Sequence, residues 1–243
     1  MSVKIIIPAR YESSRFPGKP LADLLGKSLI QRVWERCSLA VPSTDVFVAT
    51  DDERIRKHCK GLGIQVLMTS SDCLTGTDRV YQACRNIKAD VIVNVQGDEP
   101  LIRPDDITKI IEAHQDSSIN VHCGMCPILS EEDFRSPSVP KVVTRDDGRL
   151  LYMSRAAIPT DKNLSFRGAM KQVCIYAFSR KALEDFGGCQ RKSALESIED
   201  IEILRFFELG YDIGMVEVSD SSIAVDFPED IERVNKVIRE SGS

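Results

Sequence analysis

Three cations stand close together near the start of this chain, in the run Pro8-Ala9-Arg10-Tyr11-Glu12-Ser13-Ser14-Arg15-Phe16-Pro17-Gly18-Lys19-Pro20. Small residues, prolines and a glycine separate Arg10, Arg15 and Lys19, which stiffens the segment and lets its backbone come close to a ligand. Guanidinium and ammonium groups gathered on such a loop suit a compact polyanion, a polyphosphate above all. A second segment, Asn94-Val95-Gln96-Gly97-Asp98-Glu99-Pro100, sets a carboxylate beside a glycine. A carboxylate next to a phosphate cradle suits Mg2+, which takes one or two carboxylates and completes its shell with phosphate oxygens and water. Two further segments are weaker alone. Thr75-Gly76-Thr77-Asp78-Arg79 reads as a helix start with Thr77 as its cap. In Ala224-Val225-Asp226-Phe227-Pro228-Glu229-Asp230 an Asp ends a strand and a Pro opens the last helix. Alone, Asp226 reads equally as a cap or as a ligand; paired with Asp98 it would complete a metal site.

Other chemical signatures fail on spacing. Gly26-Lys27-Ser28 resembles the end of a P-loop, but Leu21 stands where that loop needs a glycine, so the run is a turn opening a helix. No Gly-x-Gly-x-x-Gly follows the first strand, which removes the dinucleotide fingerprint of an oxidoreductase. Cys123-Gly124-Met125-Cys126 lacks a second Cys or His pair at zinc spacing. On a strand those thiols point to opposite faces and are buried as small apolar groups. His58 and His114 lie on polar helix patterns and are expected at the surface, so no His-based nucleophile system is expected.

The elements that must position these groups alternate in the first half. Apolar strands are expected at 3–7, 45–50, 64–68 and 90–95, and helices at 28–39, 51–60, 77–87 and 104–114. That order implies an α/β fold, a mostly parallel sheet with helices on both faces. Loops leaving the first strand and the strand at 90–95 then open on one edge, where such folds bind ligands. The second half carries strands at 120–128 and 172–178, and a hairpin at 141–154 around Asp146-Asp147-Gly148. A helix at 195–209, short strands at 213–218 and 223–225, and a helix at 228–239 close the chain. The expected organisation is one domain over 1–243 with a small β-rich insertion lobe at about 129–175.

The 243 residues correspond to about 1.6 average domains, consistent with a core plus an insertion. The net charge of −5 excludes general nucleic-acid or anionic-membrane binding. It hides an asymmetry, since the first 36 residues carry +4 and the rest −9. No apolar run approaches the ~20 residues that span a bilayer. The opening apolar stretch reads as a strand and not as a leader. Eight cysteines in such a chain imply free thiols in a reducing cytosol.

Taken in order, the motifs resemble the CMP-Kdo synthetase family, the 3-deoxy-manno-octulosonate cytidylyltransferases. The resemblance runs through Ile-Pro-Ala-Arg-x-x-Ser-x-Arg-x-Pro-Gly-Lys-Pro at 7–20, Ala49-Thr50-Asp51, Gly76-Thr77-Asp78-Arg79 and the segment at 93–100. It continues through Tyr152-Met153-Ser154-Arg155, Ile175-Tyr176, the segments at 195–199 and 202–205, and that at 225–230. It implies a Rossmann-like nucleotidyltransferase fold and transfer of CMP from CTP to the anomeric hydroxyl of a 2-keto-3-deoxy sugar acid. It implies a CTP site of Pro8, Ala9, Arg10, Arg15, Lys19, Gly76, Thr77, Asp78, Arg79 and Gln96, with Arg10, Lys19, Asp98 and Asp226 catalytic. Asp98 and Asp226 would hold Mg2+, and Gln96, Arg155, Gln172, Tyr176, Glu202 and Ile203 would line the sugar site. The implied setting is a cytoplasmic homodimer, built through the insertion, that serves lipopolysaccharide or surface-glycan synthesis.

The chain departs from the family pattern in the sugar pocket. Gln172 stands where the family has His, and Ile203 where it has Gln; a third change, at Thr75, is mild. Ile removes both a donor and an acceptor. A buried substrate hydroxyl left unpaired costs about 1–3 kcal/mol. The acceptor is therefore Kdo, a Kdo variant or another acid sugar of the nonulosonic type. The competing reading from another class is a non-catalytic nucleotide-binding protein.

Overall fold

A computed structural model describes residues 1–13, 15–220 and 223–241, so Ser14 of the basic loop lies outside the described residues. The chain divides into two compact units, Met1–Thr108 with Ser221–Ser243, and Lys109–Asp220. The first unit runs through β1 (Val3–Pro8), a tight hairpin of β2 (Asp23–Leu24) and β3 (Lys27–Ser28), and α1 (Leu29–Ala40). It continues with β4 (Val46–Thr50), α2 (Glu53–Gly61), β5 (Gln65–Met68), α3 (Gly76–Cys84) and β6 (Val91–Val95), and α4 (Pro104–Gln115) leads the chain out of it. A last helix, Asp230–Ser241, also belongs to it.

β6, β1, β4 and β5 pair side by side in that order, all parallel. Consecutive residues Ile5, Ile6 and Ile7 are fully buried, as are Ile92, Val93 and Asn94. Because successive side chains point to opposite faces, such runs require cover on both sides of the sheet. The crossovers supply it. α1 and α2 carry the chain outward from β1 to β4 to β5, and α3 carries it back past them to β6. Right-handed crossovers in opposite directions put the first two helices on one face and α3 on the other. The reversal falls between β1 and β6.

The second unit holds β7 (Val121–Pro127), α5 (Glu131–Arg135), β8 (Lys141–Thr144), β9 (Leu150–Ser154) and β10 (Met170–Ser179). α6 (Arg180–Gly187), α7 (Ala194–Glu199), α8 (Ile203–Glu208) and β11 (Ile213–Glu217) complete it. β10 is antiparallel to β7 and, at its start, to β8; β11 is parallel to β7. The hairpin expected around Asp147-Gly148 forms from β8 and β9. The unit contains the stretch expected as a lobe, 129–175, together with β7 and β11, which continue the pairing that β10 begins. Phe178, Phe186 and Phe206 stack at its centre, with centroids 4.9 and 4.6 Å apart. Beside them Arg205 makes two 2.7 Å bonds to Glu196, and both side chains are fully buried. Losing one partner of such a pair strands a charge, at about 3–5 kcal/mol.

Several sequence expectations need correction. The helix expected at 195–209 is two helices, since Asp200 adopts a left-handed conformation at φ 51° and ends α7. The expected strand at 223–225 forms no ladder; one backbone bond, from Val225 N to Asp98 O at 2.9 Å, is what it makes instead. The last helix starts at Asp230 rather than at Pro228. Thr75, not Thr77, caps α3, its hydroxyl accepting from Asp78 N and donating to the Asp78 carboxylate. Cys123 and Cys126 are buried thiols as expected, and all eight cysteines are free.

The histidines also differ from expectation. His114 is buried and meets His122 of β7, Nδ1 to Nδ1 at 3.0 Å, while His58 bonds the Ser28 hydroxyl. A 3.0 Å contact between two ring nitrogens holds one proton, so at least one ring is neutral. Burial pushes both rings down, and His122, which also faces His114, falls to about 4. The unfolded chain therefore binds protons that the folded chain refuses as pH falls below about 6.5. Stability is full above that value and declines toward pH 4, by about 2 kcal/mol at pH 5 from His122 alone. Thermal melting at pH 7.5 and pH 5 is expected to show this loss, and His122→Gln is expected to reduce it.

Candidate functional site

The strand reversal defines an edge. Loops leaving the carboxyl ends of β1 and β6 diverge there, and open α/β sheets bind ligands at such switch points. Both loops belong to the first unit and hold Ala9, Arg10, Arg15, Lys19, Gln96 and Asp98. Pairing continues one residue beyond β1, with Ala9 N donating to Ala49 O at 2.8 Å. The chain then rises as the basic loop and returns in a 3-10 turn at Lys19–Leu21. Gly18, at φ 74°, makes that return possible, and its N–H donates to Tyr11 O at 2.9 Å. The Tyr11 ring lies within 3.0 Å of where a Cβ on Gly18 would sit, so a side chain there would collide with it.

The cations and carboxylates meet at this edge. Lys19 Nζ lies 2.8 Å from Asp98 Oδ2 and 3.8 Å from Asp226 Oδ1. Arg15 Nη2 reaches the same Asp226 oxygen at 3.1 Å, and its guanidinium lies 5.3 Å from the Phe227 ring centre. Asp226 is carried in by the Val225–Asp98 backbone bond and held by Asp230, whose carboxylate accepts from the N–H groups of 226 and 227. Arg10 is exposed and, among the described residues, forms no ion pair or hydrogen bond. Asp98 and Asp226 thus both approach the Lys19 ammonium, at 2.8 and 3.8 Å. Among the described residues no cluster of three or more His, Cys, Asp and Glu forms. Two carboxylates that leave other positions to phosphate and water suit Mg2+.

Gly97 and Gly76 keep the edge open. A Cβ on Gly97 would stand 2.6 Å from Pro8 O, a backbone atom at the end of β1 where Pro8 registers with Ala49 of β4. A Cβ on Gly76 would meet the Gln96 amide at 3.3 Å and Pro8 Cγ at 3.4 Å, so Pro8, Gly76 and Gln96 border one space. Thr77 and Arg79 face inward and are buried. Asn94 Nδ2 donates to the Thr77 hydroxyl at 3.2 Å, and Arg79 pairs with Asp51 at 3.0 Å. Their side chains thus anchor the turn, leaving any ligand contact by this segment to its surface.

Of the residues expected to line the sugar site, Gln96 lies in the first unit, and Arg155, Gln172, Tyr176, Glu202 and Ile203 lie in the second. Gln172 Nε2 donates to Tyr176 Oη at 3.1 Å, so the departure at 172 takes part in a side-chain pair. Burial drives the Tyr176 phenol well above its usual range, which keeps it a neutral donor. Ile203 is buried, and Glu202 precedes α8. Arg155 spends its guanidinium on main-chain carbonyls of Pro137, Glu199 and Asp200. Three of its five N–H donors are thereby committed. Burial tends to raise the Glu199 carboxyl, but bonds from Arg155 N, Ser154 and Tyr152 outweigh it and hold it below the usual range.

Two further participants escaped the sequence reading. Arg54, at the start of α2, lies 3.3 Å from the Tyr11 ring centre and pairs with Asp52. Asp51 fixes Arg79. Ala49-Thr50-Asp51 ends β4 at the same edge, and that position was the available signal.

The sequence profile of a family described as cytidylyltransferase matches residues 4–213. A 3-deoxy-manno-octulosonate cytidylyltransferase of Syntrophotalea carbinolica is 43% identical over 98% of this chain and 99% of its own. An 8-amino-3,8-dideoxy-manno-octulosonate cytidylyltransferase of Shewanella piezotolerans is 41% identical over 95% of this chain and 96% of its own. Among solved structures, a CMP:2-keto-3-deoxy-manno-octonic acid synthetase complexed with CTP superposes with a TM-score of 0.91. It is 36% identical and covers 99% of this chain and 100% of its own.

The tight approach at Gly97 can be checked directly. Since Pro8 ends the register of β1 with β4 and its oxygen cannot yield without disturbing that pairing, Gly97→Ala is expected to cost about 1–3 kcal/mol. Denaturant or thermal unfolding measures it.

Proposed function

This chain belongs to the cytidylyltransferase family, and on that premise we propose that it transfers CMP from CTP to the anomeric hydroxyl of a 2-keto-3-deoxy sugar acid, Kdo or a Kdo variant. The anomeric hydroxyl gives up its proton to solvent as its oxygen attacks the α-phosphorus, the bond from that phosphorus to the bridging oxygen breaks, and its electron pair leaves with pyrophosphate. The observation that carries the reading is the meeting of Asp98 and Asp226 on Lys19 at the mouth of the β1–β6 reversal. Arg10, Arg15 and Lys19 bind and neutralise the triphosphate, where charge grows on the leaving group. Pro8, Ala9, Gln96 and the turn at 76–79 position the nucleotide. Asp98 and Asp226 hold Mg2+. When bound, that ion lowers the hydroxyl's pKa and neutralises phosphoryl oxygens, so the reaction requires no histidine base. Gln172, Tyr176, Arg155, Glu202 and Ile203 select the acid sugar.

The chain works as one nucleotidyltransferase domain, with a lobe at about 129–175 that makes a homodimer. Its product feeds lipopolysaccharide or surface-glycan synthesis in the cytoplasm. Eight free cysteines support a reducing compartment. Among the described residues no helix is long and apolar enough to cross a membrane.

Gln172 and Ile203 favour a second acceptor reading, a Kdo variant such as the amino sugar acted on by the Shewanella relatives. Pyrophosphate release with CTP and Mg2+ against Kdo, an 8-amino-Kdo and a nonulosonic acid separates the readings. Turnover of an octulosonate is expected. Efficient use of Kdo alone removes the variant reading, efficient use of the nonulosonic acid alone overturns the octulosonate assignment, and no release with any acceptor favours a non-catalytic binder. Asp98→Asn is expected to lower turnover at least about 100-fold with circular dichroism and Tm preserved. Full activity in that variant would refute the metal assignment.

A further inference from the structure

One residue carries two assignments that it cannot satisfy at once. Lys19 is needed on the triphosphate, yet its ammonium rests on Asp98 at 2.8 Å and within 3.8 Å of Asp226. The group occupies the place between the carboxylates that a metal ion would take. The surrounding charges balance without any ligand, since Lys19 and Arg15 offset Asp98 and Asp226. A divalent cation arriving alone would have to displace an ammonium already bonded there, or sit beside it against like-charge repulsion. A triphosphate changes the balance. It offers Lys19 and Arg15 denser negative charge than a carboxylate does, and it supplies oxygens for the metal shell.

The local build permits the exchange. Lys19 sits at the first position of a 3-10 turn behind Gly18, so its backbone is fixed while its four-carbon stem turns. Its ammonium is nearer to Asp98 than to Asp226, and Arg15 holds the latter. The Arg15 side chain is about half exposed, within reach of an incoming anion.

We propose that Lys19 is the resident counter-ion of the Asp98–Asp226 pair and leaves it for the triphosphate, so that metal binding at these carboxylates waits for the nucleotide. The proposal rests on reading Asp98 and Asp226 as metal ligands. It makes Lys19 a gate on the order of binding as well as a phosphate ligand. An empty enzyme then holds no metal tightly, and the metal and the triphosphate take their places together.

The test is Mn2+ binding to the nucleotide-free protein, followed by electron paramagnetic resonance of the free ion, with no turnover required. Wild type is expected to bind Mn2+ weakly. Lys19→Met keeps the stem, removes the charge and is expected to bind Mn2+ at least about tenfold more tightly. Lys19→Arg keeps the charge and is expected to resemble wild type. Mn2+ is also expected to raise the Tm of Lys19→Met more than that of wild type, by linkage. Equal or weaker Mn2+ binding in Lys19→Met overturns the proposal. Asp98→Asn in the Lys19→Met background separates this failure from failure of the metal reading. Loss of the gained affinity there assigns it to Asp98, whereas its retention overturns the metal reading together with the gate. If Lys19→Met does not fold by circular dichroism, Lys19→Gln removes the same charge and decides by the same titration.

Discussion

Three parallel strands, β6, β1 and β4, buried on both faces impose the constraint on which the nucleotide half of this molecule depends. Ile5, Ile6 and Ile7 leave no solvent-facing side of β1, and the same holds for β6. Helices must therefore cover both faces, and right-handed crossovers can do that only if the chain reverses direction along the sheet. The reversal falls between β1 and β6, so the two loops that diverge there are the basic loop and the segment carrying Asp98. Apolar burial thus brings Lys19, near the start of the chain, to a carboxylate 79 residues later. No attraction between the charged groups needs to direct that step. The ion pairs that result are part-exposed and of the kind worth little in stability.

Close approach is the second condition. Gly97 sits where any side chain would strike Pro8 O, and Gly76 faces Pro8 and Gln96 across a small gap. Glycine here serves proximity and not a special backbone angle, which is why a search for Gly-rich fingerprints passes over it. Gly18 is the opposite case, needing its positive φ for the return of the basic loop. Together these positions make an edge where backbone and cations face a ligand while the aliphatic core stays closed behind them.

The second unit is organised around burial of charge and aromatic rings. The Glu196–Arg205 pair locks α7 against α8, with the Arg205 guanidinium over Phe186 at 3.7 Å. Glu199 gathers Tyr152, Ser154 and Arg155 at the end of β9. Motif residues at 195–199 and 202–205 therefore combine a structural share, Glu196, Glu199 and Arg205, with candidates for acceptor choice, Glu202 and Ile203. A motif found by resemblance does not separate these roles, since both kinds of residue are fixed in sequence order. Glu196 and Arg205 satisfy each other out of solvent's reach, which marks that pair as structural.

The sequence by itself determined the α/β alternation, the mostly parallel sheet, the hairpin at Asp147-Gly148 and the grouping of basic loop and carboxylates on one edge. These follow from local signals, runs of apolar residues and turn residues, together with a handedness rule that needs no coordinates. The break at Asp200 was beyond that reading, because apolar spacing continues across it and the backbone turns left-handed against the periodicity. The burial of His114 was hidden as well, since its partner lies on another element and a polar helix pattern says nothing of it. The same limit applied to Lys19. Its type and place announced a phosphate ligand, but only tertiary structure set its ammonium between Asp98 and Asp226. Residue types specify which charges a chain can bring to a site; the packing of distant segments decides which of them already neutralise one another.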